Sequence, residues 1–136
     1  MAEGFFKKMT RGRSGEFSCS SAGVSAMDGL PSTDETVRAM KEEGVDVSGH
    51  RSRQLTPALV GAADKIFVME KMHKDWILDL FPEAKNKVHL LTEFASPGQV
   101  KMTGTGIPDP IRMSYSFYKN VLDIIHNCVK NLAESL

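Results

Sequence analysis

The chain has 136 residues, with 17 Lys plus Arg and 17 Asp plus Glu, so its formal net charge at pH 7 is zero. This length fits one domain over residues 1–136 with a single core. The balanced charge argues against a nucleic acid or a membrane surface as the partner. No apolar run approaches the ~18 residues of a membrane span, and the first eight residues lack the apolar centre of a signal peptide, so a cytoplasmic location is expected.

The two cysteines, Cys19 and Cys128, are too few for a disulfide framework and do not have the spacing of metal ligands. We expect both to pack as small, buried apolar side chains with free thiols. The sequence therefore predicts no metal site and no cofactor, and it is typical of a protein from a reducing compartment.

The chain opens inside an amphipathic helix, because apolar side chains recur at helical spacing in Ala2, Phe5, Phe6 and Met9. No capping residue precedes this helix, and a free α-amino charge at its positive end is unfavourable. We therefore expect that the parent protein has residues before Met1 and that this chain is an N-terminally truncated form of it.

Local patterns then predict a strand and two helices. Apolar and polar residues alternate over residues 17–21, as in a half-buried strand. Residues 32–35 form a capping box, and the helix that follows is expected to stop at Gly44. Residues 48–55 are polar and aperiodic, which indicates a loop, and Thr56-Pro57 then has the N-cap and N1 pattern of a short helix.

Residues 66–69 are apolar on both faces, as a strand in a parallel sheet covered on two sides requires. A helix is predicted for residues 73–80, a further strand for 88–91 and a loop for 92–106. A closing helix carries apolar residues at helical spacing: Phe117, Val121, Ile124, Ile125, Cys128 and Leu132. Since strands and helices alternate, the predicted fold class is α/β, a three-layer sandwich with parallel strands and right-handed crossovers.

The stretch Ile107-Pro108-Asp109-Pro110 places one carboxylate between two prolines. Each proline fixes its own φ and restricts the residue before it, so the carboxylate is held stiffly, as an aimed proton donor would be. The alternative is an ordinary turn before a helix, since Asp before Pro commonly shapes turns.

Several segments, in this order, resemble the low-molecular-weight protein phosphatases. They are Met1-Ala2-Glu3-Gly4-Phe5-Phe6, Ser21-Ala22-Gly23-Val24, His50-Arg51-Ser52-Arg53-Gln54-Leu55, Val68-Met69 and Asp109-Pro110. The resemblance covers essentially the whole chain. It implies a phosphomonoester hydrolase that works through a phosphocysteine intermediate, with a phosphorylated protein or a small phosphomonoester as its partner.

The resemblance also implies roles for three residues. Asp109 is the implied acid, which protonates the leaving oxygen and then acts as a base toward the water that clears the intermediate. Ser21 and His50 are implied to support a phosphate loop whose low-pKa thiolate attacks the phosphorus. A surface role for His50 and a solvated or ion-paired role for Arg51 and Arg53 are the alternatives.

The nucleophile of the family cannot be assigned to this chain. The resemblance implies a Cys-x5-Arg loop, preceded by a hydrophobic strand, immediately before the Met-Ala-Glu segment, which here begins at residue one. The sixth residue after Cys19 is Ser25 and the sixth after Cys128 is Glu134, so neither thiol has the required arginine. We therefore expect a chain that is inactive as given, from a parent that hydrolyses protein phosphotyrosine or phosphoarginine.

The resemblance implies that the missing strand would lie inside the sheet, between residues 17–21 and 66–69. Roughly ten ladder bonds at a net ~1 kcal/mol each would be lost, which is comparable to the ~5 to 15 kcal/mol that stabilises a typical domain. We predict that the chain is destabilised or that it self-associates through the exposed strand edges.

The substrate and two other hypotheses stay open at this point. Ile111, Arg112 and Met113 stand where phosphotyrosine-specific members have aromatic residues, which weakens the case for phosphotyrosine and leaves phosphoarginine or another phosphomonoester open. Arsenate reduction is disfavoured because residues 89–106 contain no cysteine.

A true short form could act as a non-catalytic interaction protein through its sheet edge, as direct pairing of residues 17–21 with 66–69 would indicate. Alternatively, a second chain supplies the missing strand and loop.

Overall fold

The computed structural model describes residues 1–13, 15–98 and 106–136. The α-helices are α1 (Ala2–Met9), α2 (Asp34–Glu42), α3 (Pro57–Ala62), α4 (Lys71–Leu80) and α5 (Tyr115–Ser135). The strands are β1 (Ile66–Val68) and β2 (Val88–Leu90). Short 3-10 helices lie at Arg11–Arg13, Pro82–Ala84 and Leu91–Phe94.

The predicted helix starts are confirmed by their caps. The Thr33 hydroxyl accepts from the backbone N–H of Thr36 at the start of α2, and Thr56 caps α3 in the same way ahead of Pro57. Helix α4 begins at Lys71, two residues earlier than predicted; the Glu70 N–H donates to His73 Nδ1 at 3.2 Å and the His73 N–H to the Glu70 carbonyl at 3.0 Å, contacts that sequence spacing alone did not indicate.

Strands β1 and β2 pair in parallel, with Ile66 opposite Val88. The Ile66 N–H donates to the Lys87 carbonyl at 2.7 Å, so it faces β2. Because backbone groups alternate in direction along a strand, the N–H and C=O of Phe67 point away from β2. No third strand pairs with this sheet among the residues that the structure describes.

The sheet separates two apolar clusters, which gives the layered α/β arrangement that was predicted. Phe67 and Met69 pack against the larger cluster, which α1, α2 and α5 build around fully buried side chains such as Phe5 and Leu122. Ile66 and Val68 belong to the other cluster, with residues of α3 and α4. Alternate residues of β1 therefore serve opposite faces, as the uninterrupted apolar sequence of the strand requires.

The strand predicted for residues 17–21 is wrong. Burial alternates as expected, with Phe17 and Cys19 half-buried and Ser18 and Ser20 exposed, but this part of the described chain forms no ladder. Alternating burial needs only one apolar neighbour, whereas a strand also needs a hydrogen-bonded partner along its edge. Direct pairing of this segment with β1 is likewise not found among residues 1–13, 15–98 and 106–136.

The loop predicted for residues 92–106 is only partly a loop. Its first residues belong to the 3-10 helix Leu91–Phe94, in which the Glu93 side chain accepts from the Leu90 N–H at 3.0 Å. Residues 99–105 of the predicted loop lie outside the described part of the chain. Among the described helices, none combines the length and apolar character needed to cross a membrane.

Candidate active site

A cavity of about 210 Å³ lies where the first turn of α1, the end of β1 and the segment before α5 meet. Its wall is largely apolar and includes Met1, Met69, Ile107 and Ile125. Among its titratable wall residues is Asp109. The one carboxylate that the sequence singled out therefore lies at the edge of a concave, mostly apolar site, which is the usual setting of a catalytic group.

The acid segment, residues 106–114, turns sharply around Asp109. One carboxylate oxygen accepts the Ile111 N–H at 3.0 Å, and the Met113 N–H donates to the Pro110 carbonyl at 2.9 Å. Arg112 has φ of 63°, a left-handed conformation that non-glycine residues adopt rarely. The predicted turn is therefore present; it uses one carboxylate oxygen, and the exposed side chain keeps the other.

Gly106 fixes where the acid segment begins. The Ile107 N–H donates to the Met69 carbonyl at 2.8 Å, directly beyond β1. Gly106 has φ of 115°, and a Cβ at this position would lie 2.1 Å from the Met69 oxygen. Only glycine fits so close an approach of two backbones. Sequence analysis did not single out this residue, because nothing in a loop sequence indicates such a contact.

Ser21 and His50 lie on a second group of side chains that Glu3 holds together, which we call the Glu3 cluster (Glu3, Lys7, Ser21, His50). The Ser21 hydroxyl donates to one Glu3 oxygen, and the Lys7 ammonium lies 2.5 Å from the other. His50 Nδ1 lies 3.8 Å from Glu3. The Glu3 side chain is only 17% exposed, so it forms the centre of the cluster.

Glu3 stays ionised in this setting. Burial alone would raise the pKa of its carboxyl, but the hydrogen bonds from Lys7 and Ser21 and the nearby charges outweigh it, and the pKa is lowered. Sequence analysis missed Glu3. The available signal was its position four residues before Lys7 on one helix face, which commonly indicates no more than a surface ion pair.

The two arginines of the polar loop bind backbone carbonyls. The Arg53 guanidinium donates to the Ser21 carbonyl at 2.9 Å, and Arg51 donates to the His50 carbonyl at 2.8 Å. Arg51 is exposed and its guanidinium donates within its own loop, which fits the solvated alternative, whereas Arg53 joins two segments that are far apart in the sequence. Arg53 in particular fixes the backbone that carries Ser21.

Neither thiol has the environment of a nucleophile. Burial raises the pKa of Cys19, and the Glu3 carboxylate raises it further while Lys7 opposes the effect. Burial also raises the pKa of Cys128, which is fully enclosed in the larger cluster. A reactive cysteine needs a lowered pKa, so both environments favour the unreactive thiol.

The predicted site residues therefore form two groups around the first turn of α1. Ser21 and His50 meet at Glu3, whereas Asp109 borders the cavity next to Met1. Within the described ranges, no group of three or more His, Cys, Asp or Glu side chains could hold a metal ion.

Known proteins of one family are similar to this chain. The family model described as low molecular weight phosphotyrosine protein phosphatase matches residues 1–136. A protein-arginine-phosphatase of Geobacillus stearothermophilus is 34% identical over 116 residues, which cover 85% of this chain and 74% of that protein. The probable low molecular weight protein-tyrosine-phosphatase EpsP of Ralstonia nicotianae is 34% identical over 109 residues, which cover 80% of this chain and 70% of that protein.

The solved structures agree with the sequence relatives. Vibrio vulnificus Wzb in complex with benzylphosphonate superimposes with a TM-score of 0.85 at 31% identity, covering 99% of this chain and 88% of that chain. The family model matches the whole chain, and both sequence relatives are 34% identical to it. The chain belongs to the low molecular weight phosphotyrosine protein phosphatase family.

Proposed function

We propose that the intact protein hydrolyses phosphotyrosine or phosphoarginine in proteins through a phosphocysteine intermediate, with Asp109 as its acid. The observation that carries this proposal is the placement of Asp109 at the cavity. The Asp109 side chain lies between two prolines and is exposed. One of its carboxylate oxygens accepts the Ile111 N–H, so the other remains available to a substrate. A small phosphomonoester is the alternative substrate in this proposal.

The proposed mechanism has two steps. A cysteine thiolate attacks phosphorus, and protonated Asp109 gives its proton to the leaving oxygen of tyrosine or the leaving nitrogen of arginine. The ionised carboxylate then takes a proton from the water that attacks the phosphocysteine, which releases inorganic phosphate and the thiolate. One relative, the YwlE arginine phosphatase, has been solved as a mutant with a phosphorylated active site serine, which is the analogous covalent species in that protein.

The thiolate of this mechanism has no source in the 136 residues. The sequence contains no Cys-x5-Arg motif, and both of its cysteines have raised pKa values. In this proposal the chain is inactive as given, and the nucleophile loop belongs to the parent. The Glu3 cluster is the proposed support of that loop, with the Ser21 hydroxyl and His50 oriented by Glu3.

The substrate class is proposed from the named relatives and from the side chains that follow Asp109. Relatives named for arginine and for tyrosine phosphatase activity match the chain equally well, at 34% identity. Beyond Asp109, the exposed side chains are Ile111, Arg112 and Met113 rather than aromatic rings. Ile111 and Met113 do not stack on a phenyl ring as well as aromatic side chains do, which favours phosphoarginine over phosphotyrosine.

Hydrolysis of para-nitrophenyl phosphate tests the assignment on this chain. We expect no turnover above that of a Cys128→Ser and Cys19→Ser double variant, because neither thiol is a nucleophile. Turnover that disappears in the Cys19→Ser variant alone would mean that the chain carries its own nucleophile and that the proposal is wrong.

The open edge of β1 favours a second candidate function, a non-catalytic interaction protein. The N–H and C=O of Phe67 point away from β2, and a two-stranded sheet is marginal without a further strand. In this alternative, a strand from a partner or from a second copy of the chain pairs with that edge.

Two substitutions at one position test the edge alternative. Phe67→Pro removes the outward N–H without touching the β2 ladder, whereas Phe67→Val keeps the N–H and loses a similar amount of aromatic packing against Phe94. If the edge binds a second copy, sedimentation will detect self-association of wild type and Phe67→Val but not of Phe67→Pro. Identical behaviour of the two variants would rule out the edge as a surface for self-association.

A further inference from the structure

A group of polar side chains ties α2 to the start of α5, directly after the acid segment. We call it the Tyr115 cluster (Arg38, Glu42, Tyr115, Lys119). The Tyr115 hydroxyl donates to one Glu42 oxygen at 2.9 Å, and the Lys119 ammonium donates to the other at 2.9 Å. The Arg38 guanidinium lies 4.3 Å from the centre of the Tyr115 ring. Both oxygens of Glu42 therefore accept hydrogen bonds, and Tyr115 is contacted at its ring and at its hydroxyl.

The cluster holds its charges near neutral pH. Hydrogen bonds from Lys119 and Tyr115 lower the pKa of Glu42, and the bond to Glu42 raises the pKa of Lys119. An isolated surface ion pair contributes little, but this network joins four side chains from two helices. Helix α2, which carries Arg38 and Glu42, is anchored in the core, since its residues Ala39 and Met40 are fully buried.

The chain between Tyr115 and Asp109 is restrained by hydrogen bonds. Ser114 caps α5 by accepting the Phe117 N–H at 3.2 Å, and the turn from Pro110 to Met113 is closed by its own hydrogen bond. At its other end the acid segment is held by Gly106 and Ile107 against Met69. A displacement of Tyr115 would therefore be passed through the turn to the Asp109 carboxylate.

We infer that Tyr115 and Glu42 are positioning residues, which hold the acid segment from its α5 side so that the Asp109 carboxylate keeps its orientation at the cavity. The inference rests on the proposed role of Asp109 as the acid. Neither residue touches the cavity, so their effect acts through the turn of the acid segment.

Backbone NMR of the 15N-labelled chain tests this inference without any need for turnover. The Ile111 N–H donates to Asp109, so the hydrogen-exchange rate of this amide reports whether that bond is kept. In wild type we expect order parameters near 0.85 for residues 110–113, and in Tyr115→Phe and Glu42→Ala we expect values approaching about 0.6, the flexible range. Exchange of the Ile111 amide should become faster in the same two variants.

Two further variants separate positioning from a general loss of stability. Glu42→Gln keeps an oxygen that accepts from Tyr115 and should restore the wild-type exchange rate of the Ile111 amide. Glu43→Gln removes the same charge one residue later, where the carboxylate lies 3.8 Å from Lys119, so it should leave the acid segment unchanged. Unchanged order parameters and an unchanged exchange rate of the Ile111 amide in Tyr115→Phe would overturn the inference.

The outcome is independent of the catalytic assignment. If Asp109 proves not to be the acid, the NMR result still shows whether Tyr115 and Glu42 order the segment. If turnover of the parent depends on Asp109 but Tyr115→Phe leaves exchange of the Ile111 amide as in wild type, only the positioning inference fails.

Discussion

The acid segment and the Glu3 cluster both lie near the first turn of α1 but are built by different physical means. The acid segment is held by backbone conformation: a glycine that no other residue can replace, two prolines and a closed turn. The Glu3 cluster is held by charge and by the hydrogen bonds that Lys7 and Ser21 donate to Glu3, with His50 3.8 Å away. The first should therefore respond to changes of backbone geometry, and the second to pH.

The largest effect is expected for Gly106→Ala. The new methyl group would meet the Met69 oxygen at 2.1 Å in a left-handed backbone, so we expect a loss of about 3 kcal/mol of stability as the acid segment moves away. Gly29→Ala is the matched control, because Gly29 has φ of 84° but no atom within 4 Å of its added Cβ, and only the strain of about 1 kcal/mol applies. Equal losses in urea unfolding would show that the close approach does not exist.

A smaller effect is expected for Glu3→Gln. The substitution removes the charge to which Lys7 and Ser21 donate, and we expect a loss of about 1 to 2 kcal/mol at pH 7. Glu16→Gln breaks an exposed ion pair with Arg13 and should cost about 0.5 kcal/mol. A loss in Glu3→Gln no greater than in this control would mean that the cluster is only a surface feature.

The difference in stability between wild type and Glu3→Gln should depend on pH. Because the native pKa of Glu3 is lowered, its contribution is fully present above the ordinary value of 4.5 and is lost as the pH falls through the native pKa. Thermal unfolding of both proteins from pH 7 downward should therefore converge below pH 4.5. A difference that stays constant would contradict the ionised state of Glu3.

The smallest effect on stability is expected for Asp109→Asn. The amide oxygen still accepts the Ile111 N–H, so the turn is preserved and the free energy of unfolding should change by less than about 0.5 kcal/mol. Asp109→Ala loses that acceptor and serves as the comparison. A large loss in Asp109→Asn would show that the carboxylate serves the fold rather than chemistry.

Local signals in the sequence predicted much of the fold. The caps at Thr33 and Thr56 and the apolar β1 were placed correctly, because each depends on residues within one turn or one strand. Residues 17–21 were placed wrongly, because their alternation reports burial and not the presence of a pairing partner. Strand pairing is a property of two segments, and a pattern in one of them cannot supply it.

The sequence indicated only some of the residues of the candidate site. Asp109 was indicated by its two prolines, which act locally. Glu3 and Gly106 were missed because their roles arise from contacts with residues far along the chain, Ser21 and His50 in one case and Met69 in the other. Resemblance to the family named Ser21 and His50, but it did not indicate what joins them.

Turnover of para-nitrophenyl phosphate by the product of the whole reading frame, including any codons upstream of Met1, tests the central claim most directly. We predict that a Cys-x5-Arg loop precedes Met1, that this protein is active, and that Asp109→Asn lowers its turnover by about 10²- to 10⁴-fold, as loss of a general acid does. An active protein whose turnover is unchanged by Asp109→Asn, or a reading frame that begins at Met1 and yields no activity, would contradict the account.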